Sequence, residues 1–275
     1  MPGFAPEYIA ARRVLLDALE ALQPHLASLV LVGAQAVYHH AGEMNLAVAV
    51  MTADADLALD TAHLADQPEI AATLIDAGFL PGANPGHWLG AQEVGVDIMV
   101  VPHQAGTGAK HARSARIPPH PKTVGRIAHG LEPALIDNAL ATISALGTGD
   151  PRAFDLRVAG PAALVVAKTI KIAERASDAR RRPYRLRQKD ALDMFRLLQA
   201  TGTERLARGF RSHRGHPQAA TASREAVAFI EANAHNTESL LPVLAREAAL
   251  GDCAVATAFV ALATHLISTL HRDGS

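Results

Sequence analysis

The chain has 275 residues, enough for one or two domains with a sizeable core. Its 49% hydrophobic and 19% charged content excludes a disordered or collagen-like chain. A balance of 26 Lys and Arg against 27 Asp and Glu, net −1, excludes a histone-like or acidic-tail protein. That total conceals a segregation of sign. No Lys or Arg occurs between Arg13 and Lys110, while residues 168–189 hold three Lys and six Arg against only Glu174 and Asp178. Cys253 is the single cysteine, so no intramolecular disulfide forms. Residues 1–4 lack the basic and apolar regions of a signal peptide. The apolar run from Cys253 to Ile267 is shorter than the roughly 20 residues that span a bilayer. A cytoplasmic protein with no membrane partner is expected.

The elements follow from periodicity. Residues 6–23 carry Leu15, Leu16, Leu19 and Leu22 at helical spacing, ending at Pro24. Residues 29–32 form a buried strand stopped by Gly33, and 34–41 a short helix. Residues 46–50 are wholly apolar, and 57–59, after two aspartates, continue a strand. Residues 68–77 read as a helix with Gly78 just past its end. Residues 94–101 form a strand closed by Pro102, and 102–122 a loop. Beyond this the pattern turns helical. One helix opens at Pro161 and runs to about 180, and a second covers 187–200 and closes at Gly202. Residues 203–216 are weakly patterned, and three further helices cover 217–236, 238–250 and 253–271. The expected class is α+β: a mixed-sheet domain over 1–155, then a helical domain over 156–275 that brings its Lys and Asp motifs to the cleft.

Asp54 and Asp56 form a D-x-D on one strand face, because residues i and i+2 point the same way. Two such carboxylates are either a solvated strand end or a site for a cation. Asp97 lies inside an apolar strand, where an unpaired acid is costly. If the two strands are neighbours, three carboxylates converge, suiting an oxygen-seeking ion such as Mg²⁺. Gly33-Ala34-Gln35, between strand and helix, is either an ordinary turn or a place where phosphate approaches backbone N–H groups. Of only five lysines, three (Lys168, Lys171 and Lys189) fall in the basic segment. Lys168 and Lys171 share a helix face and serve either as snorkelling surface residues or as point-charge phosphate binders. Asp190 and Asp193 would pair with Lys168, orient it, or act as a base. The arginines from Arg175 to Arg187 read as a solvated run or as a nucleic-acid footprint.

Over roughly residues 28–200 the order of these pieces resembles the DNA polymerase β-type nucleotidyltransferase fold. The pieces are a strand before Gly33, then Thr52-x-Asp54-x-Asp56, a strand bearing Asp97, Lys168, and Lys189-Asp190-x-x-Asp193. Within that fold it resembles the AbiEii-type enzymes, toxins of type IV toxin–antitoxin systems. The resemblance implies nucleotidyl transfer from an NTP, with Mg²⁺ or Mn²⁺, to RNA at the tRNA 3′ end, and a cognate antitoxin as partner. It implies Asp54, Asp56 and Asp97 as metal ligands and Lys168 on the triphosphate. It further implies Asp190 as the last acidic motif residue, and Gly33, Ala34, Gln35, Thr52, Lys171 and Lys189 around the nucleotide. Ala34 departs from the family's Gly-Ser or Gly-Gly, and 49–51 lack its arginine. The alternatives are a catalytically silent binding or regulatory member, a protein AMP-transferase, or a scaffold with solvated acids.

Other chemistries fit less well. His39-His40 is adjacent, which aims the rings apart on a helix, and no H-E-x-x-H occurs. Gly106 to His111 lacks P-loop order, and no G-x-S-x-G is present. Trp88 either stacks a base or is partly buried in the core, and Cys253 reads as a small buried residue.

Overall fold

The computed structural model describes residues 4–42, 52–107, 112–178 and 188–272. The chain divides into two compact units. One holds residues 1–36, 50–128 and 138–159, and the other 37–49, 129–137 and 160–275.

The first unit is built on an eight-stranded mixed sheet. Its strands are β1 (Leu29–Val32), β2 (Asp54–Leu59), β3 (Leu80–Pro81), β4 (His87–Leu89), β5 (Gly95–Val100), β6 (Arg126–Ile127), β7 (Asn138–Ser144) and β8 (Ala153–Ala159). The order is β3-β4-β5-β2-β1-β8-β7, with β6 also beside β5. Central β1 is buried along its whole length, as its unbroken Leu-Val-Leu-Val requires. It pairs antiparallel with β2 and parallel with β8, while β2 pairs parallel with β5. Helix α1 (Pro6–Ala21) opens on a proline, whose fixed φ suits a first turn, and buries Val14, Leu15, Leu16 and Leu19. That face packs on β2 and β5, behind the strands that carry the acids. Helix α3 (Ile70–Asp76) starts two residues later than Pro68, because the Glu69 side chain caps it by accepting from the N–H groups of Ala71 and Ala72.

The helical pattern expected beyond residue 122 begins only at Pro161: before it the chain supplies β6, β7 and β8. Trp88 is 1% exposed, with its indole N–H donated to the Val124 carbonyl, so it offers no face to a base. The apolar stretch 46–50 lies outside the described residues, as do 108–111 of the Gly106–His111 loop.

The second unit is helical. It comprises α4 (Pro161–Asp178), α5 (Gln188–Thr201), α6 (Thr203–His213), α7 (Pro217–Asn233), α8 (Leu240–Ala248) and α9 (Cys253–Arg272). Residues 203–213 are a full helix, in contrast to their weak pattern, held by Leu206, Ala207 and Phe210 on one buried stripe. Helix α9 has 20 residues. Among the described residues it is the one helix long and apolar enough, by length and composition, to cross a membrane. It packs on α5, α6, α7 and α8, and Phe259 is fully buried against Phe195. Cys253 is exposed at its start, not buried.

Candidate functional site

Register places the acids. Val32 on β1 faces Asp56 on β2, Asp56 faces Asp97 on β5, and Asp97 faces His87 on β4. Directly opposed residues share a sheet face, so Asp56, Asp97 and His87 form a row across three strands. Asp54, two residues before Asp56, lies on the same face and is exposed. On the opposite face Ala55 and Leu57 are buried, which fixes the direction in which the aspartates point.

Gly33 joins β1 to helix α2 (Gly33–Ala41) with φ +67°, in the left-handed region that favours glycine. A Cβ there would lie 2.6 Å from Asp56 Cγ, so the Asp56 carboxylate occupies the space a side chain would need. The turn is thus shaped around the second aspartate. Thr52 is buried, and its Oγ1 donates to Asp54 Oδ1 at 2.7 Å. The Gln35 amide donates to the Asp54 carbonyl at 3.2 Å and accepts from Arg12 Nε at 2.8 Å. Arg12 also donates to Ser144 O and to the Tyr8 hydroxyl, and burial lowers the Arg12 pKa and raises that of Tyr8. This buried chain ties α1, α2 and β7 to the start of the D-x-D strand.

Asp97 is differently engaged. His87 Nδ1 lies 2.6 Å from its Oδ1 and Arg126 Nη2 donates to its Oδ2 at 3.0 Å. Among the described residues no three His, Cys, Asp or Glu side chains converge closely enough to hold a metal ion together. The β2 and β5 strands are neighbours, yet both oxygens of Asp97 already face donors. Asp54 and Asp56 stand beside it as the two acids of the D-x-D, Asp54 exposed and Asp56 half-buried.

Comparison with protein-family models, curated proteins and solved structures returns no match. The functional argument therefore rests on the residues themselves.

In the second unit Lys168 is 5% exposed, not a surface lysine. Its Nζ donates to Asp190 Oδ1 at 3.0 Å and Asp193 Oδ2 at 2.7 Å. Arg175 donates to Asp190 Oδ2 at 2.7 Å, Lys171 Nζ lies 3.6 Å from Asp190, and Arg196 donates to Asp193 Oδ1 at 3.1 Å. The spacing i, i+3, i+7 puts Lys168, Lys171 and Arg175 on one face of α4, opposite the acids of α5. Burial alone would lower the Lys168 pKa, but the Asp193 and Asp190 charges outweigh it and raise it. Burial likewise works against the Asp190 carboxylate, and Lys168 and Lys171 outweigh it and hold its pKa down. Both stay charged. Lys189 is exposed at the start of α5, and residues 179–187 of the arginine run lie outside the described residues.

Sequence inspection missed several participants. Arg126 and His87 were not singled out as partners of Asp97, because they meet it only through strand pairing 29 and 10 residues away. Asp137, His213 and Ser223 form another hydrogen-bonded chain: His213 Nδ1 lies 2.7 Å from Ser223 Oγ and Nε2 lies 3.2 Å from Asp137 Oδ2. His213 is fully buried and Ser223 is 6% exposed on a helix, while Asp137 also accepts from the Ala163 N–H at the start of α4. That chain is a strut for helix packing. His39 and His40 stack edge to face on α2, with ring centroids 5.2 Å apart.

Proposed function

We propose that the chain is a nucleotidyltransferase. It moves a nucleotidyl group from an NTP to an acceptor hydroxyl, with the tRNA 3′ end as the acceptor and toxicity within a type IV toxin–antitoxin pair as the biological setting. The observation that carries this reading is the Gly33 turn, whose left-handed backbone leaves room for the Asp56 carboxylate beside the opening of α2. Phosphoryl transfer asks a protein for positioning and charge neutralisation more than for covalent chemistry. A helix opening at a glycine offers backbone N–H groups to phosphate, and it stands beside the strand that carries both aspartates. Mg²⁺ or Mn²⁺, held by Asp54 and Asp56, would neutralise phosphate charge. Thr52 orients Asp54 through its hydroxyl, and Gln35 fixes the backbone at the same residue.

The test is incubation with Mg²⁺, each labelled NTP in turn and total tRNA, comparing the wild type with Asp54→Asn and Asp56→Asn. Transfer of label that falls at least 100-fold in both variants is expected. Saturable nucleotide binding with no transfer to RNA or protein would replace the enzyme by a silent binding member of the fold. Label on protein alone would make the chain a protein AMP-transferase.

A further inference from the structure

We infer that Asp97 is not a metal ligand but the residue that holds Arg126, and that Arg126 is a contact for the substrate's polyphosphate. This rests on the nucleotidyltransferase reading and names one more residue of that site. Both Asp97 oxygens face donors from strands paired with β5: His87 from β4 and Arg126 from β6. The His87 ring is itself fixed. A Cβ at Gly95 would lie 2.8 Å from its Cε1, and one at Gly82 would lie 2.5 Å from its Cδ2, so the ring fills a slot between two glycines. Turning Asp97 toward a cation would break both bonds and strip Arg126 of its partner.

Arg126 is bound through one nitrogen. Among the described residues its side chain's only hydrogen bond is Nη2 to Asp97, and that side chain is 35% exposed. A guanidinium presents five N–H donors in a rigid fork that matches phosphate. Carboxylate-anchored at one corner, it keeps Nε and Nη1 for a ligand. Its anchor Asp97 lies directly opposite Asp56 in the sheet. This segment has no Lys or Arg between Arg13 and Lys110, so a cation that joins the acidic row must come from elsewhere in the chain, and β6 delivers one.

The experiment uses the full chain. Mn²⁺ binding without nucleotide is measured by electron paramagnetic resonance. Binding of ATP, CTP, GTP and UTP with Mn²⁺ present is measured by calorimetry. Arg126→Lys and Arg126→Ala are expected to weaken the preferred nucleotide at least tenfold and to leave Mn²⁺ affinity within about twofold, because the fork and not the charge alone is used. Asp97→Asn is expected to weaken the nucleotide similarly and to spare Mn²⁺, whereas Asp56→Asn abolishes Mn²⁺ binding. A readout on the unaltered protein accompanies these: phenylglyoxal modification of Arg126, located by mass spectrometry, is expected to be suppressed by the bound nucleotide. Loss of Mn²⁺ binding in Asp97→Asn, or Arg126 modification unaffected by a bound nucleotide, overturns the inference. A wild type that binds nucleotide with Arg126 protected but transfers nothing sinks the enzyme reading and leaves the inference standing. A wild type that binds no nucleotide sinks both.

Discussion

At the scale of single residues, Gly33 is where backbone and chemistry are least separable. Its φ of +67° disfavours any side chain, and the Asp56 carboxylate fills the volume a Cβ would take. Gly33→Ala is expected to cost about 2 kcal/mol in urea unfolding, part backbone strain and part displacement of Asp56. Because the second part needs Asp56, Gly33→Ala in an Asp56→Ala background should cost at least about 0.5 kcal/mol less, a coupling typical of contacting residues. Equal costs in both backgrounds would separate the turn from the aspartate. Lys168 poses the opposite case, a side chain whose charge is needed for packing. Replacing it by Met leaves Asp193, which is 0% exposed, and Asp190 short of a buried cation, and is expected to cost about 3–5 kcal/mol. Lys168 is raised, so its contribution is whole below the unfolded lysine value and is lost only as pH rises through a still higher one. Asp190 is depressed, so its contribution is whole above the unfolded aspartate value and is lost only as pH falls through a lower one. The loss in Lys168→Met should therefore stay flat from pH 5 to 9, and a cost varying steeply across that range would contradict the buried network.

At the scale of elements, a titratable clamp behaves differently. His129 lies between Glu132, 2.9 Å from Nδ1, and Glu225 of α7, 2.9 Å from Nε2. With a carboxylate at each nitrogen, the hydrogen bond to Glu132 chiefly raises its pKa to about 9. The folded value exceeds the unfolded one, so the stabilisation is complete below about pH 6.5 and is lost as pH rises through 9. Glu225 is half exposed, so solvent screening trims the effect to about 1–2 kcal/mol. Unfolding measured at pH 6 and 9.5 should show that difference in the wild type and not in His129→Gln. Why some elements were legible and others not has a physical cause. The helices α1, α4 and α5 and the strands β1 and β5 bury wide apolar faces, and periodicity reveals such faces. Strand β7 is an edge with Leu140 exposed and little burial, so it lacks the signal of a core strand. Strand β8 does alternate, with Phe154, Leu156 and Val158 set against Asp155 and Arg157, but this short period of two runs directly into the longer helical stretch that opens at Pro161. Helix α6 hides a buried stripe under charge. Asp54 and Asp56 are legible as a D-x-D on one strand face, and Asp97 because a carboxylate inside an apolar strand is expensive. Arg126 is not, because its role depends on a pairing across 29 residues that no local pattern encodes.

At the scale of the whole molecule, a net charge of −1 gives no reason to expect RNA binding, since phosphate affinity comes from neutralised charges and not from the total. What matters is segregation. The segment 168–189 carries three Lys and six Arg, and within it Lys168 is spent on Asp190 and Asp193, and Arg175 on Asp190. The segment's other arginines are those at 180, 181, 182, 185 and 187. The proposed tRNA contact therefore makes a quantitative demand. Each neutralised phosphate of a flexible strand adds about 0.7 to the slope of log affinity against log salt, and of a duplex about 0.9. Replacing Arg180, Arg181 and Arg182 by Gln should lower the slope for tRNA by about 2–3 while leaving nucleotide affinity within about twofold, because the nucleotide is proposed to be held through Asp54, Asp56 and Arg126, which are unchanged. Filter binding of labelled tRNA between 50 and 300 mM salt reads this directly. An unchanged slope would mean that the basic run is a solvated face, and any RNA acceptor would have to be held by other cations of the chain.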